Sequence, residues 1–135
     1  MGKGFRFELD RENKILLMRF LERRLTDESL AEVYASLREY AIATEPHAVI
    51  ADFSAAIQVE VSVGFIRQLA REEPAVPRAG ERGRIAVFSD DVGFGMARMF
   101  QTLGESTRPL LHVVRSLDEA LEALGVESAQ FELLP

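Results

Sequence analysis

The fold is decided by an apolar run and the polar residues that follow it, Ala48-Val49-Ile50-Ala51-Asp52-Phe53-Ser54. Four consecutive apolar residues indicate a strand that is buried on both faces, as the central strands of parallel sheets are. A second run of this kind, Ile85-Ala86-Val87-Phe88, is followed by Ser89-Asp90-Asp91. Together the two runs predict a parallel sheet whose strands end in acidic and hydroxyl side chains.

Segments with helical periodicity separate these strands from their neighbours. We expect Thr26 to cap the first helix, because Asp27 and Glu28 follow it and favour the positive end of a helix dipole. Three further helices are predicted: one over residues 62–71, one from residue 92 or 93 to 103, and one after residue 116.

The remaining strands are predicted as a hairpin over residues 5–9 and 15–20 and a last strand over residues 110–114. The order β-β-α-β-α-β-α-β-α indicates an α/β domain with four helices and a mixed five-stranded sheet. This sheet would be mostly parallel, with the first strand as an antiparallel edge. We expect a single domain over residues 1–125, and a tail of residues 126–135 that either packs back or frays.

Composition excludes several classes of function. The formal charge of −6 and the scattered basic residues argue against a nucleic-acid surface. The chain has no cysteine, which excludes disulfides, thiolate catalysis and cysteine metal sites. No apolar leader opens the sequence, and no apolar run approaches the length of about 18 residues that a membrane span needs. We therefore expect a cytoplasmic protein without membrane insertion.

Polar residues that follow the predicted strands form the first part of a candidate site. Ligands of open parallel sheets collect beyond the carboxyl ends of the strands. In this chain those ends carry Asp52 and Ser54, then Asp90 and Asp91, and then Arg115. The sequence therefore predicts that a ligand or partner binds at this edge of the sheet.

The third helix begins beside these strand ends and adds the second part of the candidate site. Gly93 and Gly95 either leave backbone N–H groups free to receive an anion or permit a tight turn and close helix packing. Arg98 either pairs with Asp52 or Asp91, or contacts a bound anion.

The sequence gives little evidence for a catalytic site. Asp52, Asp90 and Asp91 could form an acidic pocket for Mg²⁺, but Asp90 and Asp91 are also good helix-start residues. His47 and His112 have neither a nucleophile partner nor metal-ligand spacing. We expect no catalytic residue, no metal and no cofactor.

Four short motifs occur in an order that is similar to one protein family. They are Leu25-Thr26 before acidic residues, Asp52-Phe53-Ser54, Phe94-Gly95-Met96-Ala97-Arg98-Met99, and Val114-Arg115-Ser116 before Glu119-Ala120. Over residues 5–125 the chain resembles the STAS superfamily and, within it, the SpoIIAA-like branch. The resemblance implies a regulatory binding fold rather than an enzyme. This fold is also similar to that of the lipid-binding CRAL-TRIO domains.

Ser62 is the residue to which the resemblance gives a possible regulatory role. In anti-sigma-factor antagonists of this superfamily a partner kinase phosphorylates a serine at the start of the second helix. Ser62 stands at the equivalent position, but Val61 and Val63 replace the serine and glycine that flank it in the family. Two interpretations stay open: Ser62 is a phosphate acceptor, or it caps the helix.

The sequence thus favours a non-enzymatic binding module that recognises a protein partner or a second copy of itself as a homodimer. Its surface would comprise the loop of residues 52–62 and the third helix. The alternative is a carrier of a lipid or small hydrophobic ligand, which rests on the CRAL-TRIO similarity. A metal-dependent enzyme that uses the acidic strand ends is the third hypothesis.

Overall fold

A computed structural model of the chain describes residues 4–71, 83–103 and 111–135. The strands are β1 (Phe5–Asp10), β2 (Ile15–Phe20), β3 (Arg24–Thr26), β4 (Ala48–Asp52), β5 (Gln58–Glu60), β6 (Gly83–Val87), β7 (Leu111–Val114) and β8 (Glu132–Leu133). The helices are α1 (Asp27–Thr44), α2 (Val63–Arg71), α3 (Asp91–Leu103) and α4 (Leu117–Ala123). Residue 110, the predicted start of the last strand, lies outside the described residues.

The main sheet confirms the predicted α/β class and the predominance of parallel strands. Its six strands lie in the order β7-β6-β4-β2-β1-β8. Four successive strands, β7, β6, β4 and β2, are mutually parallel, and β1 is antiparallel to both of its neighbours. Strand β4 lies between β2 and β6, as its continuous apolar run predicts.

The predicted strand count of five is wrong. Strands β3 and β5 pair in parallel as a separate two-stranded sheet, and β8 adds to the main sheet. Consequently β1 is not the edge, because β8 pairs with its outer side. These additional strands have only two or three residues each, which is too short for hydrophobic alternation to be visible in the sequence.

Two apolar cores lie on opposite faces of the main sheet, because successive residues of a strand point to opposite sides. The larger core packs under α1, α2 and α3 and includes Phe7, Met18 and Phe53. The smaller core packs under α4 and includes Leu17 and Ile50. Every residue from Ile15 to Met18 is buried, since both faces of β2 are covered.

A buried carboxylate stabilises the hairpin turn between β1 and β2. Asp10 accepts hydrogen bonds from the backbone N–H of Asn13 (3.1 Å) and from its side-chain Nδ2 (2.8 Å). Burial alone would raise the pKa of Asp10, but its hydrogen bonds outweigh that effect and hold the pKa below its ordinary value. Asp10 is therefore a charged and stabilising turn residue.

The end of the chain packs back onto the domain. Val126 and Phe131 pack against the smaller core, and β8 then pairs with β1. One further backbone bond joins Leu134 N–H to the carbonyl of Phe7 at 2.9 Å. None of the helices within the described ranges has the length and apolar character needed to cross a membrane.

Candidate partner-binding site

The carboxyl ends of the four parallel strands meet at one end of the sheet and are joined by backbone bonds. Phe53 N–H donates to the carbonyl of Val87 (2.8 Å), and Phe88 N–H donates to that of Val114 (3.0 Å). We call this end the rim and define it as the loops of residues 21–23, 53–57 and 88–90 together with the first turns of α2 and α3. The rim is where the sequence places the candidate site.

Ser54 and Ser89 connect two loops of the rim. The Ser89 hydroxyl donates to the carbonyl of Ser54 at 2.7 Å, although the two residues follow different strands. Ser54 N–H in turn donates to Asp52 Oδ1 at 2.9 Å, so the Asp52 side chain shapes its own loop. The structure therefore brings two predicted residues, Asp52 and Ser54, to one turn.

Asp52 is buried and forms one end of a chain of charges across three strands. Its Oδ2 lies 3.8 Å from Arg19 Nη1 on β2. Arg19 Nε lies 2.7 Å from Glu8 Oε2 on β1, and Arg6 Nε contacts the same oxygen at 3.0 Å. Both carboxylates of this network thus have arginine partners, as buried carboxylates require.

Asp90 and Asp91 act at the start of α3. Asp90 Oδ2 accepts the N–H of Gly93 at 3.1 Å, which is the geometry of a helix cap. Asp91 Oδ1 pairs with Arg115 Nη1 at 2.8 Å. The Arg115 guanidinium also lies 3.9 Å above the ring of Phe94, so it joins β7 to α3.

Arg98 does not make either of the two ion pairs considered for it. Asp52 pairs with Arg19 and Asp91 pairs with Arg115, whereas Arg98 is exposed on α3. Arg19 lies on β2 and Arg115 directly follows β7, and no spacing in the sequence identifies either as the partner. The role of Arg98 as a binding residue stays a prediction.

The two glycines of α3 differ in their surroundings. A Cβ on Gly93 would collide with the Phe88 ring and lie 3.1 Å from Val59 Cγ2, so close packing requires glycine there. A Cβ on Gly95 would meet nothing within 4 Å. The packing interpretation therefore holds for Gly93 only.

The three aspartates do not converge on a common point, since each serves its own turn, cap or ion pair. Within residues 4–71, 83–103 and 111–135, no group of three or more histidine, cysteine or acidic side chains is arranged to hold a metal ion.

Ser62 caps α2 and also ties it to α1. Its hydroxyl accepts the N–H of Phe65 (3.1 Å) and donates to Asp27 Oδ2 (2.8 Å). Its own N–H donates to Asp27 Oδ1 at 2.8 Å. Asp27 is the first residue of α1, so one carboxylate holds the starts of two helices together. The cap interpretation of Ser62 is thus confirmed.

Beside this junction, the short sheet of β3 and β5 carries an exposed ion pair. Arg24 Nη2 lies 2.8 Å from Glu60 Oε1, with about half or more of each side chain accessible to solvent. The hydrogen bond from Arg24 lowers the pKa of the Glu60 carboxyl. This pair places one positive and one negative side chain near Ser62.

Exposed apolar side chains are the feature of the rim that the sequence analysis missed. Each lies in a rim loop or in the first turn of α2 or α3: Leu21 (50% exposed), Ile57 (48%), Val63 (45%) and Val92 (60%). The loops of Leu21 and Ile57 are joined where Ile57 N–H donates to the carbonyl of Arg23 at 2.9 Å. No sequence pattern marks them, because Leu21 directly follows the buried Phe20 and Ile57 directly follows the buried Ala56.

Compared with known proteins, the chain matches no family model, and no curated protein or solved structure shows significant similarity to it.

Proposed function

We propose that the chain is a SpoIIAA-like, STAS-type binding module without catalytic chemistry, and that it recognises a protein partner through the rim. The observation that carries this proposal is the set of exposed apolar residues Leu21, Ile57, Val63 and Val92. Single exposed apolar residues are ordinary on protein surfaces. Here four of them come from four separate segments that meet at one end of the sheet, which is typical of an interaction surface.

The surroundings of these residues also suit a protein interface, which has an apolar centre and a polar border. Ser54, Ser89 and the Arg115–Asp91 pair lie on the same loops and supply hydrogen-bonding groups. The loops are held by hydrogen bonds before any partner arrives. Binding of a partner would therefore cost little conformational entropy, because the loops are already ordered.

A protein partner is favoured over the carriage of a lipid. The apolar stripe of α3 would be the natural wall of a lipid groove between α2 and α3. Met96, Met99 and Phe100 instead pack against the larger core, as does Phe65 of α2. These side chains contribute to the packing of the interior, whereas the exposed apolar residues of the rim do not.

Affinity capture with matched variants tests the proposal. The rim variant is Val92→Asp, and the control is Ile42→Asp, because Ile42 on α1 is 59% exposed and Val92 is 60% exposed. We expect the wild type and the control to retain the same partner and the rim variant to lose it. Retention of that partner by a rim variant with an unchanged circular dichroism spectrum would disprove the role of the rim.

Phosphorylation of Ser62 is a regulated form of the same proposal. A phosphoryl group would add about −1.5 to −2 charges to a hydroxyl that is 2.8 Å from the Asp27 carboxylate. Repulsion would separate the starts of α1 and α2 and displace the neighbouring Val63. Incubation with serine kinases followed by intact-mass measurement tests this form, and an unchanged mass would eliminate it.

A further inference from the structure

The outer edge of β1 is covered far less than its inner edge. On the inner side all six residues of β1 pair with β2, from Phe5 with Phe20 to Asp10 with Ile15. On the outer side, in the part of the chain that the structure describes, the ladder joins Glu8 and Leu9 to the two residues of β8. An uncovered strand edge offers a row of backbone donors and acceptors to any extended chain.

Three contacts beyond the strand pairing hold the end of the chain on this edge. Glu132 Oε2 lies 3.3 Å from Arg11 Nε, and Leu134 N–H donates to the carbonyl of Phe7 at 2.9 Å. Tyr40 Oη donates to the carbonyl of Pro135 at 2.6 Å. The edge thus contacts an acidic side chain, the apolar residue two positions later, and the carbonyl of the residue after that.

Leu134 is the anchor of this segment. It is half-buried against the larger core, on the side where the ring of Tyr40 stacks on that of Phe7 with 4.2 Å between centroids. Leu133, by contrast, is 66% exposed. Alternate residues of the bound strand therefore point inward and outward, as in strand addition to a sheet edge.

Residues 132–135 are held more weakly than other parts of the fold. The Arg11–Glu132 pair is two-thirds exposed on both sides, and exposed ion pairs contribute little. Two ladder residues and one anchoring side chain can open locally without unfolding the main sheet.

We infer that the outer edge of β1 is a peptide-binding surface, which residues 132–135 occupy in the isolated chain. The partner is an extended protein segment that carries an acidic residue two positions before a leucine-like residue. It adds antiparallel to β1 and displaces the chain's own residues. The surface is separate from the rim, so the chain has two binding surfaces.

A fluorescent peptide with the sequence of residues 128–135 and an amidated end is the probe. We expect the full chain with Leu134→Ala to bind it about tenfold more tightly than the wild type, because the weakened segment leaves the edge open more often. The control is Leu133→Ala, which changes an exposed neighbour and should bind like the wild type. Equal binding by both variants would overturn the inference.

One further measurement isolates the edge itself. Methylation of the peptide's backbone nitrogen at the position of Leu134 removes the donor to Phe7 and should abolish binding. Unchanged binding of the methylated peptide would show that the peptide lies elsewhere.

Hydrogen exchange on the unaltered chain covers the case in which Leu134→Ala does not fold. The amide of Leu134 should exchange about a hundredfold faster than the amides of β2, because the segment opens locally. Equal exchange rates would mean that the segment opens only on global unfolding, and this would overturn the inference.

Discussion

The centre of the main sheet and the rim use the same apolar residue types for different purposes. At the centre Ile50 and Leu17 are fully buried between α4 and the strands. At the rim Ile57 and Val92 are about half exposed, although they follow the central strands β4 and β6 by only a few residues. The difference indicates that the central residues contribute to folding, and in our proposal the rim residues contribute to binding instead. Substitutions should separate these two contributions.

The largest expected effect is at the centre. Ile50→Ala should lower the free energy of unfolding by about 2–5 kcal/mol, because it removes buried methyl groups and leaves a cavity. Ile42→Ala, on the exposed side of α1, should change it by less than about 0.5 kcal/mol. Urea denaturation measures both. Equal losses for the two variants would contradict the assignment of Ile50 to the core.

The charged part of the sheet should show an intermediate effect. Glu8→Gln removes the carboxylate that Arg6 and Arg19 share, so we expect a loss of about 1–3 kcal/mol from the buried charge network. Glu132→Gln breaks an exposed pair and should cost less than about 1 kcal/mol. A larger loss of unfolding free energy for Glu132→Gln than for Glu8→Gln would contradict the account of the buried network.

The hairpin turn should make stability depend on pH. The pKa of Asp10 is lower in the folded chain than its ordinary value of 3.8. Its contribution is therefore fully present above that value and is lost as the pH falls through the lower folded pKa. We expect Asp10→Asn to cost about 1 kcal/mol at pH 7 and nothing in strong acid. A cost that is constant from pH 7 to pH 2 would exclude the carboxylate as its source.

The smallest effect on stability should come from the rim. Ile57→Ser and Val92→Ser should each change the free energy of unfolding by less than about 0.5 kcal/mol, because both side chains are about half exposed. Thermal unfolding followed by circular dichroism measures this. A loss of several kcal/mol would show that these residues serve folding, and the contrast between the two regions would disappear.

Local sequence patterns predict the part of the fold that local chemistry determines. The apolar run of β4 identifies a central strand, and Thr26 and Ser62 identify two helix starts by their capping side chains. Strands β3, β5 and β8 depend on pairing with distant segments, so no pattern of two or three residues reveals them.

The site was predictable in position but not in its contacts. The carboxyl ends of parallel strands must meet, which places Asp52 and Asp90 at the same end of the sheet. The arginines that pair with Asp52 and Asp91 come from distant segments of the chain and cannot be identified without the fold. Exposure is likewise a tertiary property, so Ile57 and Val92 look no different from core residues in the sequence.

Photo-crosslinking from the rim tests the central claim most directly. A photoreactive residue at position 92 should join the chain to one partner protein, and the same residue at position 42 should not. Identical adducts from both positions, or adducts from position 42 alone, would contradict recognition through the rim.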